Sequence, residues 1–178
     1  MAWVSRPTRR SSGTLRQPAA LAVSAPLNFD VRLHMSDCIF CQILSGSSDA
    51  SVVYTDNVCT AFLTIEPITE GHTLVIPNEH HVNIFDLPPS TACHRFQVAQ
   101  QIATAYEKAD IPCEGVNIVM CNGKAAAQTV FHAHIHVNPR YKGDGFSWNL
   151  PPGFESRPGR DHLNQVAAKI TQALGSAT

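Results

Sequence analysis

The sequence predicts an α+β domain with an antiparallel sheet, a central helix and a C-terminal helix. Short runs rich in β-branched residues occupy much of residues 51–77, before the first long helical pattern. That helical pattern covers 90–110, and a second one covers about 160–174. The chain has 178 residues, the usual length of one domain.

Local patterns justify the elements in order. Two β-rich runs flank Thr55-Asp56-Asn57 as in a hairpin, and GHTLVIP indicates a third strand that ends at Pro77. The central helix is predicted to start at the N-cap Ser90. GVNIVM indicates a further strand, and residues 129–137 a histidine-bearing strand stopped by Asn138-Pro139. The apolar face of the central helix is predicted to comprise Ala92, Phe96, Ala99, Ile102, Ala103 and Tyr106.

Charge and hydropathy argue against two classes of partner. Thirteen basic and fourteen acidic residues give a formal net charge of −1, so no overall positive field attracts a nucleic acid polymer. No apolar run reaches the roughly 18 residues of a membrane span. Six cysteines without a recognisable secretory signal favour reduced thiols or metal ligands. We therefore expect a soluble, cytoplasmic protein.

Residues 1–34 differ from the rest of the chain. They contain five arginines against one acid, Asp30, and are rich in Ser, Ala and Pro. We interpret them as a disordered extension. Their composition also fits an organellar transit peptide, which would change the expected location, and a third alternative is a mis-called start with Met35 as the initiator. The folded domain is assigned to 35–178.

The stretch FHAHIHVNPR places three of the nine histidines at alternate positions. On a strand, His132, His134 and His136 would project from one face, roughly 6.6 to 7 Å apart, close enough to surround one phosphate-sized group. Neutral imidazole is a nucleophile near neutral pH, and phosphorus is a suitable electrophile. The alternative is three ordinary histidines, each with a backbone partner. Donors for the phosphate oxygens are available just upstream, at Asn122, Gln128 and Thr129.

A second motif is the C-x-x-C of Cys38 and Cys41, which fits a redox pair or half of a zinc site. A closed tetrahedral zinc needs four ligands, and His80 and His132 are candidates for the other two. The alternative is two unliganded thiols in a turn. The other cysteines are interpreted as ordinary thiols, and three histidines as surface residues: His34, His94 and His162.

The segment QTVFHAHIHVNPR resembles the signature of the histidine-triad (HIT) family. CIFCQIL, SVVYTDN, AFLTIEPITEGHTLVIPNEH, VNIVMCNGKAAAQ and NPRYKGDGF resemble segments of bacterial-type members, in the same order. The resemblance implies a HIT-like fold and a nucleotide hydrolase or transferase. His134 would attack the α-phosphorus of a nucleoside phosphoramidate or adenylate, and water would then release the nucleoside monophosphate.

The resemblance also implies roles for other residues. His136 would contact the phosphate oxygens, His132 would orient His134 through its backbone carbonyl, and His72 would support the triad. Asn122, Gln128 and Thr129 would line the phosphate site. A structural zinc ion would be held by Cys38, Cys41, His80 and His132. The resemblance further implies a homodimer that acts on a small purine nucleotide.

Two positions depart from the family pattern. Thr64 stands where relatives usually have an aspartate that binds the ribose hydroxyls, and a neutral hydroxyl accepts a weaker hydrogen bond. Ala127 stands where relatives usually have glycine, and its Cβ would crowd the phosphate if its φ is positive. These departures motivate one alternative function, a nucleotide-binding scaffold without turnover. The alternative within the enzyme class is a dinucleoside polyphosphate (ApnA-type) hydrolase.

Overall fold

The structure, a computed structural model, describes residues 37–175. Its helices are α1 (Ile39–Leu44), α2 (Pro89–Tyr106) and α3 (Arg160–Gly175), with a short 3₁₀ turn at Lys124–Ala126. Its strands are β1 (Val52–Thr55), β2 (Cys59–Leu63), β3 (Thr73–Pro77), β4 (Gly115–Val119) and β5 (Ile135–Arg140). The predicted class, with its central and C-terminal helices, is confirmed. The proposed extension at 1–34 lies outside the described residues.

The five strands form one antiparallel sheet in the order β1-β2-β3-β5-β4. Because side chains alternate along each strand, the sheet has two distinct faces. One face packs on α2 through Ala61, Val75, Ile135 and Val137. On the other face a cross-strand row runs through Phe62, Leu74, His136 and Val119. The ring of Phe40 on α1 covers the Phe62 end of this row.

Helix α2 differs from its prediction at both ends and in its buried face. Its N-cap is Pro88, Ser90 lies inside the helix, and the last helical residue is Tyr106. The prediction that Phe96 is buried is wrong, because this side chain is 55% exposed while the neighbouring Arg95 is fully buried. Helical spacing sets this outcome, since the residue at 95 shares a face with those at 98, 99, 102 and 106.

The histidine-bearing strand also differs from its prediction. β5 begins at Ile135, so His132 and His134 precede it, and it continues through Asn138 and Pro139 to Arg140. Proline is tolerated here because the pairing of β5 with β3 ends at Val137, so the missing N–H of Pro139 leaves no bond of the β3–β5 ladder unmade. The chain before Ile135 is therefore free of the strict alternation that would point all three histidines in one direction.

The turn between β1 and β2 is organised by Asp56. Its carboxylate accepts hydrogen bonds from Tyr54 (2.7 Å), His94 (2.6 Å) and the backbone N–H groups of Val58 (2.7 Å) and Cys59 (2.8 Å). Burial acts to raise the pKa of Asp56, but these hydrogen bonds hold it well below its usual range. His94, interpreted from the sequence as an unpartnered surface residue, is therefore half-buried and bonded to this turn.

Helix α3 matches its predicted range and buries no residue against the rest of the described chain. Apolar side chains recur along one side of it, all at least 39% exposed: Leu163, Val166, Ile170 and Leu174. Within residues 37–175, the helices are too short or too polar to cross a bilayer.

Candidate active site

A cavity of about 980 Å³ opens on the sheet face that carries His136. Its apolar wall comes from α1 and from strands β2 and β3, through Ile39, Phe40, Ile43, Phe62 and Leu74. Its polar end is formed by Thr64, Thr129, His72, His134 and His136. A large apolar cleft with a few convergent polar groups is typical of a small-molecule site.

Hydrogen bonds fix the protonation of His72 and His136. Nδ1 of His72 accepts the N–H of Ile68 at 3.1 Å, so the proton of the neutral ring is on Nε2. This Nε2 lies 3.0 Å from Nδ1 of His136 and donates to it. His136 then carries its own proton on Nε2. Burial lowers the pKa of each ring to about 4, so both are neutral at pH 7 and His136 offers an N–H donor.

In His134 the proton is on Nδ1, whereas in His136 it is on Nε2. Nδ1 donates to the backbone carbonyl of His132 at 2.7 Å, so Nε2 keeps its lone pair. The ring is 4% exposed, lines the cavity, and lies 4.8 Å from the His136 ring between centroids. Burial lowers its pKa, although the bond to the His132 carbonyl partly opposes this. A neutral imidazole with a free nitrogen at a cavity wall is a nucleophile beside a hydrogen-bond donor.

The ring of His132 does not join the other two. It is fully buried, and its Nδ1 lies 3.6 Å from Sγ of both Cys38 and Cys41. Its Nε2 donates to the Pro77 carbonyl at 3.0 Å, and burial lowers its pKa to about 4. The expectation that all three rings surround one phosphate-sized group is therefore wrong, since only His134 and His136 reach the cavity.

The four predicted metal ligands come together. Sγ of Cys41 lies 3.2 Å from Nδ1 of His80, and all four donor atoms of Cys38, Cys41, His80 and His132 lie within 4.8 Å of one another. Zn–S and Zn–N bonds of about 2.3 and 2.0 Å at a tetrahedral angle place sulfur and nitrogen about 3.5 Å apart. The donor set, its spacing and the bond from His132 to Pro77 therefore fit zinc.

Comparison with known proteins agrees with this geometry. The family model described as "HIT domain" matches residues 45–143. The Bacillus subtilis protein called "Protein hit" is 43% identical over 144 residues, which are 79% of this chain and 97% of the relative. This chain belongs to the HIT domain family.

Two further relatives bear on the site of this HIT protein. The crystal structure of a zinc-bound histidine triad family protein from Mycobacterium smegmatis is 39% identical, with a TM-score of 0.62, and the match covers 81% of this chain and 99% of the relative. An Arabidopsis thaliana adenylylsulfatase is 36% identical over 109 residues, which are 61% of this chain and 55% of the relative. The HIT fold and a cysteine–histidine cluster thus occur together here.

Two residues expected at the phosphate site of the HIT domain have their amides occupied. Gln128 donates to the carbonyls of Val82 (2.6 Å) and Val130 (3.1 Å) and accepts from Gly123 N–H (2.7 Å). Asn122 accepts from the N–H of Ile84 at 2.8 Å and donates to the Met120 carbonyl. Neither lines the large cavity. Both brace the loop before the triad, and their contact with phosphate stays a prediction.

Two other residues expected at the site of this HIT protein, Thr64 and Thr129, line the large cavity. Ala127 has a φ of 64°, so the condition under which its Cβ would crowd a ligand is met.

The sequence did not indicate the ring of Phe40, which packs edge-on against His134 with 5.4 Å between the ring centroids. Nor did it indicate Asn138, which continues the alternation of β5 two residues after His136 and would have been found if the strand had been extended.

Proposed function

We propose that this HIT protein hydrolyses nucleoside phosphoramidates or related adenylates through a nucleotidyl-histidine intermediate on His134. The observation that carries the proposal is the pairing of nitrogens at the cavity wall. Nε2 of His134 has a lone pair, and Nε2 of the adjacent His136 has a proton to donate. The Arabidopsis relative described as an adenylylsulfatase supports an adenylyl substrate.

The reaction proceeds in two displacements at phosphorus. In the first, Nε2 of His134 forms a bond to the α-phosphorus as the P–N bond of the phosphoramidate breaks. The leaving nitrogen takes the electron pair of that bond and a proton from solvent, and departs as an amine. In the second, water attacks phosphorus and gives a proton back to solvent, the bond to Nε2 breaks, and the nucleoside monophosphate leaves. One water is consumed overall, and the ring of His134 is restored.

Each neighbouring group has a defined task in this scheme. His136 donates to a non-bridging phosphate oxygen, with its tautomer fixed by His72. The His132 carbonyl accepts the Nδ1–H of His134, which leaves Nε2 as the nucleophilic nitrogen, and it stabilises the imidazolium formed on attack. Thr64 and the apolar wall accommodate the nucleoside. Desolvation of the cavity strengthens each of these hydrogen bonds.

We also propose that Cys38, Cys41, His80 and His132 bind zinc in a structural role. A bound zinc ion would cross-link α1 to the segment that precedes β5. The homodimer implied by the resemblance is a further proposal, and the exposed apolar row on α3 supports it, because such a row is normally covered. Analytical ultracentrifugation of the full chain tests it, and a monomer at micromolar concentration would contradict it.

The experiment for the activity uses adenosine phosphoramidate, with AMP release as the readout. We expect the wild type to release AMP and His134→Ala to lose at least about a thousandfold in kcat/KM, because the nucleophile is removed. The matched control is His162→Ala, since this histidine is exposed on α3. If His134→Ala released AMP as fast as the wild type, the proposal would be contradicted. Faster release from a diadenosine polyphosphate, or tight AMP binding without any turnover, would instead support one of the two alternative functions.

A further inference from the structure

A second cavity, of about 410 Å³, adjoins the first. His72, His136 and Glu66 line both cavities. The large cavity extends from His136 over β3 and β2, whereas the second extends over β5 and β4, towards the opposite edge of the sheet. A ligand whose phosphorus is bound near His134 and His136 therefore has two directions in which its substituents can extend.

Asn138 is the distinctive residue of the second cavity. It lies on β5 between His136 and Arg140, and the alternation of the strand places all three on the same face. Its side chain is 96% buried, since the residue is 4% exposed, and its carboxamide oxygen has no hydrogen-bond partner among residues 37–175. A buried acceptor without a partner is costly, so this oxygen is suited to a donor supplied by a ligand.

The charges around the second cavity favour a cationic ligand. Arg140 is neutralised, because its Nε and Nη2 contact the two carboxylate oxygens of Asp144 at 2.5 and 2.8 Å. The other formally charged side chain on the wall is Glu66. Phe146 lies over the Arg140 guanidinium at 4.5 Å and forms part of an apolar wall with Ile68, Val119 and Trp148. The cavity thus combines an apolar wall, a carboxylate and an unused acceptor.

We propose that this cavity binds the leaving group of the substrate and selects an amine that carries a second nitrogen donor. The inference rests on the proposed function, because it needs His134 to attack phosphorus. Displacement at phosphorus occurs in line, so the leaving group departs opposite to His134. With the nucleoside in the large cavity, the amine extends over β5. Its distal ammonium donates to Asn138 and lies near Glu66, while its carbon chain packs on the apolar wall.

The test compares three adenosine phosphoramidates: the unsubstituted compound, one with an aminobutyl group on nitrogen, and one with a pentyl group. The last two have nearly the same shape and differ in a terminal ammonium against a methyl group. A hydrogen bond to a charged group contributes enough to give roughly a tenfold to hundredfold preference for aminobutyl in kcat/KM. In Asn138→Leu this ratio should fall to near one. In Asn138→Asp, which keeps the acceptor, it should stay or rise.

The control is Asn57→Leu, an exposed asparagine at the hairpin turn, which should keep the wild-type ratio. A wild-type ratio near one, with AMP released from all three compounds, would overturn the leaving-group site and leave the proposed hydrolase intact. If Asn138→Leu kept the preference for the aminobutyl compound, the leaving-group site would likewise be overturned and the proposed hydrolase would stand. No AMP from any compound would overturn both proposals together. Since Asn138→Asp is nearly isosteric, a folding defect in the leucine variant does not prevent a decision.

Discussion

Arg95 is fully buried between α2 and the sheet, and we predict that Arg95→Met stabilises the protein. One of its nitrogens, Nη2, donates to the Val75 carbonyl at 3.0 Å, whereas Nε and Nη1 have no hydrogen-bond partner within the described chain. Burial lowers the pKa of the guanidinium from 12.5 to about 10. At about 1.4 kcal/mol per pKa unit, burial of the charge costs about 3 kcal/mol.

Methionine fills a similar volume, has a similar helix propensity and carries no charge. The variant also loses the hydrogen bond to the Val75 carbonyl, which removes about 1 kcal/mol of the stability gained by deleting the charge. We therefore expect a net gain of about 1 to 3 kcal/mol in the free energy of unfolding. For a domain of this size the gain raises Tm by roughly 3 °C per kcal/mol.

Thermal and urea unfolding at pH 7 measure this gain directly, with Arg157→Met at an exposed arginine as the matched control. A loss of more than 1 kcal/mol in Arg95→Met would refute the reasoning, because it would show that the buried guanidinium has a compensating partner. An unchanged Tm in the control variant is needed to assign the effect to burial.

Three further predictions concern zinc, ribose and acid stability. Cys41→Ser should lower bound zinc, measured by mass spectrometry of the metal, and lower Tm, whereas Cys93→Ser at an exposed thiol should change neither; equal zinc content in both variants would contradict the site. Thr64→Asp should tighten AMP binding about fivefold by calorimetry, because a carboxylate accepts a stronger hydrogen bond from ribose; unchanged affinity would place the ribose elsewhere. The Asp56 carboxyl has a depressed pKa, so its contribution to stability is present above about pH 4 and is lost as pH falls. Asp56→Asn should therefore flatten the fall in unfolding free energy between pH 4 and pH 2, and an equally steep fall would contradict this.

The strands and both long helices could be predicted because their signals are local. The hairpin turn, Pro77 and the helical spacing of 160–174 each depend on residues close in sequence. The burial of Arg95 in place of Phe96 could not be predicted, since hydropathy favours the opposite choice. The outcome depends on which side of α2 meets Val75 of β3, and this is a tertiary contact between segments far apart in sequence.

The sequence indicated the three histidines as parts of a candidate site, but it did not predict that their rings would be divided between a cavity and the cysteine cluster. Alternation along a strand placed three imidazoles on one face, and the structure separates them because β5 starts only at Ile135. The signal for the separation was present in the sequence, since His132 was also a candidate ligand of the C-x-x-C cysteines. One ring cannot serve a buried metal cluster and an open phosphate site simultaneously, and the burial of His132 decides for the cluster.

Of the three histidines, His132 is the one that links the cysteine cluster to His134. Its ring is held at both nitrogens, by the cysteine cluster at Nδ1 and by the Pro77 carbonyl at Nε2, so its backbone has little freedom to rotate. Its carbonyl oxygen is the acceptor that fixes Nδ1–H of His134. The orientation of His134, the proposed nucleophile, therefore depends on a cluster whose residues do not line the large cavity. Loss of the cluster should lower the rate by loosening His134, even though the imidazole itself remains in place.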